Sequence, residues 1–324
     1  MSELPFSLDL MHWLAEHRSP ALTAFFTFFT FVGELEGYIL LVVLAYVAFD
    51  KRLAVRLALV TLASMSLNHV LKTLIANPRP FVAQGEHLSR WAVTPAKAAD
   101  LATEFSTPSG HAMGSAAFYT TLYDGLRYVR TRRVAIACIV LVLLIGLSRP
   151  YLGVHYLEDV LLGWPIGAAL AWLLLRSGAR LGDAWYRLSL AQQAALLAGG
   201  SALVCAATRA LGAWRGDSHP TAFVSYAGLL SGVLLGQRLE IVHVSFESRR
   251  GSVGQKLLRY ALALALVVGT LAGLDPVFEA LAADATPAGD VLRWLRYAAA
   301  AVGGVFVAPL LFLRLGIAEQ QQPH

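Results

Sequence analysis

The sequence predicts an all-α integral membrane protein with about nine transmembrane helices. Three observations carry that expectation. Of the 324 residues, 57% are apolar and only 15% charged, and the mean hydropathy is +0.59, so most of the chain partitions into hydrocarbon rather than water. Apolar runs near spanning length recur from end to end. Lys and Arg gather at alternate run ends, as membrane topology demands.

Taken in order, the amphipathic stretch from Met11 to Arg18 has neither the basic leader nor the apolar centre of a secretory signal, so the first span is expected to drive insertion. Ala21 to Val32 reads as an interfacial or half-inserted helix. The first run, 31–49, carries Glu34 and Glu36, carboxylates that mark an outer mouth rather than a membrane centre. Further runs follow at 53–75, 112–129, 134–152, 156–175, 190–211, 221–237, 257–274 and 297–315. Phe81 to Thr107 is the one long polar connection among the early runs, with the length of a short helix or a lid. Its Phe81 and Trp91 are candidates to line a path for lipid.

Lys51, Arg52 and Arg56 follow the first run, Arg127, Arg130, Arg132 and Arg133 the third, and Arg176, Arg180 and Arg187 the fifth. Those loops are expected to be cytoplasmic. Arg249, Arg250, Lys256 and Arg259 continue the alternation, with Asp275, Glu279, Asp284 and Asp290 on the opposite side. The N-terminus is then outside and the C-terminus inside. The formal charge of +5 is accounted for by these run ends, without nucleic acid. Cys138 and Cys205 lie in apolar runs with no metal-site or redox spacing, and read as small buried residues.

Three clusters carry chemistry: Lys72 followed by Asn77-Pro78-Arg79-Pro80, then Pro108-Ser109-Gly110-His111, then Ser148-Arg149 running on to His155 and Asp159. The topology brings all three to one non-cytoplasmic face. Lys72, Arg79 and Arg149 suit the oxygens of a phosphoryl group, Arg by two-pronged hydrogen bonding and Lys as a movable point charge. Ser109 and Gly110 open a helix whose first N–H groups point toward an anion, and the His111 imidazolium can protonate a leaving alkoxide. His155 and Asp159 are four apart on one helical face, so the carboxylate can hold one ring nitrogen and leave the other free to attack phosphorus. Glu158 is three residues from His155, and spacing alone does not choose between the carboxylates. Ser148 has no activating base and reads as a hydrogen-bonding residue. Asn68, a turn before Lys72, suits either packing or positioning. No Asp, Glu or His set at metal-ligand spacing accompanies these residues, so neither a metal nor another cofactor is expected.

In order and spacing, the clusters resemble the signature of the type-2 phosphatidic acid phosphatase family over roughly residues 20 to 180. The resemblance implies a phosphohistidine on His155, Asp159 as its orienting carboxylate and His111 as general acid. It also implies a catalytic core over 1–185, leaving 186–324 as additional helices of unassigned role. The implied activity is metal-independent hydrolysis of a lipid phosphate or pyrophosphate. Phosphatidate, polyprenyl pyrophosphate, phosphatidylglycerol phosphate and sphingoid-base phosphate all fit, with the bilayer as the other partner. The expected location is a bacterial inner or cell membrane, the site facing the periplasm or exterior. A soluble substrate such as glucose 6-phosphate is the rival, since the span pattern and His111-Ala112-Met113-Gly114 also look like glucose-6-phosphatase. A lipid-binding or transport role for the C-terminal helices is the alternative of another class. Arg209 and Glu240, near run ends, favour simple interfacial placement over a transport path.

Overall fold

The structure, a computed structural model, describes residues 4–83, 93–126, 129, 131–215, 221–283 and 286–321. Trp91, Arg127, Arg130 and Asp284 lie outside the described residues. Every regular element among those described is helical. The order is α1 (Asp9–Glu16), α2 (Pro20–Val32), α3 (Leu35–Ala48), α4 (Lys51–Ile75), α5 (Pro80–Ala83), α6 (Pro95–Ala102) and α7 (Gly110–Gly125), followed by α8 (Arg132–Tyr151), α9 (Leu157–Arg187), α10 (Leu190–Arg215), α11 (Thr221–His243), α12 (Val253–Leu281), α13 (Pro287–Val302), a π-helical turn (Gly303–Val307) and α14 (Ala308–Arg314).

Helix starts follow local chemistry. Ser19, Ser109, Thr131, Ser252 and Thr286 cap α2, α7, α8, α12 and α13 through side-chain oxygens, and Ser252 closes a reciprocal capping box with Gln255.

The expected count of nine spans is not reproduced. Among the described residues, seven helices are long and apolar enough to cross a membrane, and an eighth is present if α2 and α3 form one span. Those two helices meet at a 58° bend beside Gly33 and Glu34. The bend brings the Phe31 carbonyl so close to Gly37 that a Cβ there would lie 2.4 Å from its oxygen. The expected run at 112–129 is α7, whose 16 residues give roughly 24 Å, short of a typical hydrocarbon core.

The chain forms two compact units. The first comprises Met1–Tyr38, Ser64–Ser177 and Ala206–His219. At its centre is α7, buried from Ala112 to Tyr119 and at Thr121. On α9, Asp159, Gly163, Gly167 and Ala171 recur every fourth residue and are all buried, so this stripe faces α7. A Cβ on Gly163 would lie 2.8 Å from the Ala112 Cβ, and one on Gly167 would collide with the Met113 carbonyl oxygen. Small residues at this spacing let two helix backbones meet. A buried cluster of Met11, Phe81, Tyr151, Leu152, Val154 and Tyr156 closes one end. Phe81 therefore belongs to a packed core and does not line a path for lipid, because it is buried in one cluster with Met11 of α1 and residues 151–156 at the end of α8 and in the turn after it.

The second unit comprises Ile39–Ala63, Gly178–Cys205 and Pro220–His324. Its α11 carries Gly228, Gly232 and Gly236, again every fourth residue. A Cβ on Gly228 would lie 2.6 Å from the Trp294 carbonyl oxygen on α13, and one on Gly232 would collide with that of Ala298. Glu240 is buried rather than interfacial, because Lys51 Nζ donates to it at 2.8 Å and the Phe246 N–H at 3.0 Å. Arg259 is also buried, donating from Nε to the Ile317 carbonyl at 2.7 Å and from Nη1 to that of Ser248 at 3.3 Å.

Candidate active site

All the sequence-derived site residues fall in the first unit, at helix ends that the fold gathers. Lys72 is in the last turn of α4 and Arg149 in that of α8, while Gly110 opens α7 and Asp159 lies in the first turn of α9. The join between two of these ends is a main-chain bond. The Ser109 N–H donates to the Asp159 carbonyl at 3.0 Å, which the glycine-lined approach of α9 to α7 permits.

His155 lies in the turn between α8 and α9, with Nδ1 3.2 Å from Asp159 Oδ2. Glu158 is turned elsewhere, its Oε1 accepting from the Ser7 N–H at 3.0 Å. The structure thus separates the two carboxylates that spacing leaves level. Asp159 is held hard in place: Oδ2 accepts from Ser106 Oγ at 2.5 Å and the Tyr156 N–H at 3.0 Å, and Oδ1 accepts from Thr107 Oγ1 at 2.5 Å. Asn77 donates to Thr107 Oγ1 at 2.9 Å and accepts the Ser106 N–H on its carbonyl at 2.8 Å. Asn68 Nδ2 donates to the Pro108 carbonyl at 2.9 Å, making it a positioning residue for the turn.

The other face of His155 fixes its tautomer. Arg79 Nη1 is 3.1 Å from His155 Nε2 and also donates to the Val154 carbonyl at 3.0 Å. A guanidinium only donates, so Nε2 is the acceptor with a lone pair, and Nδ1 carries the proton toward Asp159. Burial, then the charges of Arg79, Lys72 and Arg149, hold the His155 pKa well below the usual imidazole value. The ring is neutral, and Arg79 engages its lone pair until another acceptor draws the guanidinium away.

Lys72 and Arg79 converge on a residue the sequence did not single out. Glu104 Oε2 accepts from Lys72 Nζ at 2.9 Å and Arg79 Nη2 at 3.0 Å, and the Glu104 carbonyl accepts from Arg79 Nε at 3.2 Å. Partial desolvation would raise the Glu104 pKa, but the Lys72 and Arg79 charges outweigh it and hold the carboxyl well below its usual range. Arg149 stands apart from this pair. Its Nη1 donates to Thr30 Oγ1 at 3.2 Å, and its Nε is buried without a partner. Ser148 is buried and hydrogen-bonded to the Ile145 carbonyl and Thr30.

His111 stands in the first turn of α7, within electrostatic reach of Arg149, His155, Lys72 and Arg79, and its Nε2 has no partner. The Ser109 hydroxyl oxygen caps α7 at 3.4 Å from the Ala112 nitrogen, so its N–H and oxygen are committed to holding the turn. Ser106 and Thr107 were missed although they directly precede Pro108. Their adjacency to that cluster is the signal that would have found them. Among the described residues, no group of three or more His, Cys, Asp or Glu is placed to hold a metal ion.

A neutral imidazole, an orienting carboxylate and three cations beside a helix start are the parts of a phosphoryl-transfer site. Comparison with known proteins agrees: residues 53–183 match the PAP2 superfamily, and residues 224–320 match the PAP2 superfamily phosphatase transmembrane extension. The chain belongs to the PAP2 superfamily. It is 35% identical over 114 residues to phosphatidylglycerophosphatase B of Bacillus subtilis (strain 168), an alignment covering 33% of this chain and 49% of that protein. The chain therefore spans about half the length of this curated relative. The crystal structure of Aquifex aeolicus LpxE is 24% identical, covering 54% of this chain and 99% of that one, with a TM-score of 0.44. The crystal structure of the first transmembrane PAP2 type phosphatidylglycerolphosphate phosphatase from Bacillus subtilis is 26% identical, covering 53% and 83%, with a TM-score of 0.42.

Proposed function

We propose that this protein is a membrane phosphatase that hydrolyses a lipid phosphomonoester or pyrophosphate through a phosphohistidine on His155. The observation that carries the reading is the polarity of His155: Asp159 on Nδ1, and a lone pair on Nε2 beside Arg79. Nε2 attacks phosphorus while the bond from phosphorus to the leaving oxygen breaks. Asp159 stabilises the imidazolium that forms. Lys72, Arg79 and Arg149, with the start of α7 at Gly110 that Ser109 holds in place, take the charge on the phosphoryl oxygens. His111 gives its proton to the leaving oxygen, then takes one from water as that water attacks phosphorus and the N–P bond breaks. The products are inorganic phosphate and the alcohol from a phosphomonoester, or inorganic phosphate and the lipid monophosphate from a pyrophosphate. In this scheme the three cations supply the charge that a metal ion would supply elsewhere.

Phosphatidylglycerophosphate is the first substrate to try, given the activity in the relative's name. Phosphatidate, polyprenyl pyrophosphate and sphingoid-base phosphate present the same reacting group. The reading assigns catalysis to 1–185 and leaves 186–324 as scaffold or substrate wall, with the site on the outer face of a bacterial membrane. The test is phosphate release by the purified full chain in detergent with excess chelator, beside His155→Ala, across these lipids and glucose 6-phosphate. Release from a lipid that falls by at least about 10³-fold in the variant supports the reading. Release that survives His155→Ala, or occurs only with the sugar phosphate, overturns it.

A further inference from the structure

Glu104 holds the donors that the proposed reaction needs for its phosphoryl group. Its carboxylate bridges Lys72 and Arg79, and the same guanidinium lies against the nucleophilic nitrogen of His155. The three partners differ in their access to water. The side chains of Arg79 and Lys72 are 1% and 12% exposed, that of Glu104 43%. A carboxylate so exposed recovers its hydration on leaving, whereas the two cations stay behind in the fold. It is carried by the turn after α6, outside any helix, so it can leave without breaking helical hydrogen bonds.

An incoming anion must therefore exchange with Glu104, and the exchange depends on charge. A phosphodiester headgroup brings one negative charge in place of one, so it gains little from the swap. A phosphomonoester carries about −1.5 to −2 at neutral pH and three acceptor oxygens, so it outcompetes the carboxylate. A bilayer is built of phosphodiesters, which reach a membrane-embedded site at high local concentration. Specificity is a difference between affinities, and a built-in competitor lowers the affinity for the wrong ligand by more than that for the right one.

We infer that Glu104 is a specificity-determining residue, an internal stand-in for the phosphoryl group that keeps anionic phosphodiester lipids off the Lys72 and Arg79 pair while admitting dianionic phosphomonoesters. The inference rests on the phosphatase reading. Its test uses the purified full chain in mixed micelles with phosphatidate as substrate, replacing phosphatidylcholine by phosphatidylglycerol at constant total lipid. The parent enzyme is expected to resist phosphatidylglycerol. In Glu104→Gln, phosphatidylglycerol should inhibit at a surface concentration roughly two- to fivefold lower, the size expected for losing a charge pair with one exposed partner. The KM for phosphatidate should also fall, which a purely structural role would not produce. If Glu104→Gln does not fold, Glu104→Ala removes the same charge and makes the same comparison.

Unchanged or weaker inhibition by phosphatidylglycerol in a variant that still hydrolyses phosphatidate overturns the role of Glu104 and leaves the phosphatase reading intact. No phosphate release by the parent from phosphatidate, phosphatidylglycerophosphate, polyprenyl pyrophosphate or sphingoid-base phosphate overturns both.

Discussion

The two units use the same device for helix contact and put it to different ends. Gly163 and Gly167 in one, and Gly228 and Gly232 in the other, lie four residues apart and let backbones approach where any side chain would collide. In the second unit Lys51 ends on Glu240 and the Phe246 carbonyl and Arg259 on carbonyls, while the buried Arg296 on α13 keeps an unmatched Nε. In the first unit the contact delivers Asp159 to the Ser109 turn, and two side chains around it keep unmatched groups, the Nε of Arg149 and the ring nitrogen of His111. Buried charges whose partners are complete hold a fold together. A buried donor left without one needs another reason.

That contrast can be broken most forcefully at the stripes. Gly167→Leu should abolish phosphate release, by roughly 10²-fold or more, because α9 must move away from Met113 and take Asp159 with it. Gly232→Leu, equally crowded by Ala298, should instead lower the unfolding midpoint. The molecules still folded should retain a kcat within about threefold of the parent, since effects at distant sites are largely independent. Equal loss of kcat in both would erase the distinction.

The carboxylates sharpen it next. Asp159→Asn should lower kcat on the order of 10³-fold by leaving the imidazolium of His155 without its counter-charge. Glu240→Gln strands Lys51 beside a neutral amide and should cost about 2–3 kcal/mol of stability in chemical denaturation, with kcat little changed.

The smallest effect lies in pH. A His155 pKa below the usual value of about 6.5 means that the ring stays unprotonated to more acid pH than a free histidine. The acid limb of kcat, where protonation removes the nucleophile, should therefore lie below about pH 6.5. A limb at or above that value in a kcat profile would contradict the buried, cation-flanked setting of His155.

Much of the first unit was legible because its signals are local. The four-residue spacing of His155 and Asp159 survives into the 3.2 Å contact, and apolar runs became helices largely where composition placed them. Spacing could not choose Asp159 over Glu158, since that choice depends on Ser7, which lies 151 residues away from Glu158 in the chain. The roles of Glu104, Ser106 and Thr107 went unread for the same reason, although the last two adjoin the Pro108 cluster. They sit in irregular turns without periodicity and gain their partners only when α4, α7 and α9 converge. The count of nine is not confirmed where length and composition part company: α7 is central yet short, and α2 and α3 are separate helices joined at a bend. The glycine stripes were present in the sequence, but a four-residue glycine spacing acquires meaning only once a facing backbone is known.

Helix α4 carries a consequence for anyone who would shorten this protein. Its first half belongs to one compact unit and its last turns, with Lys72, to the other. A chain ended after residue 185 would keep every proposed catalytic side chain. It would also leave Lys51 without Glu240, and the Tyr46 hydroxyl without the Val305 carbonyl that it meets at 2.8 Å. The place where catalytic motifs stop along the chain is therefore a poor place to cut, and a minimal enzyme would have to be made by redesigning the exposed face of α3 and α4 rather than by deletion.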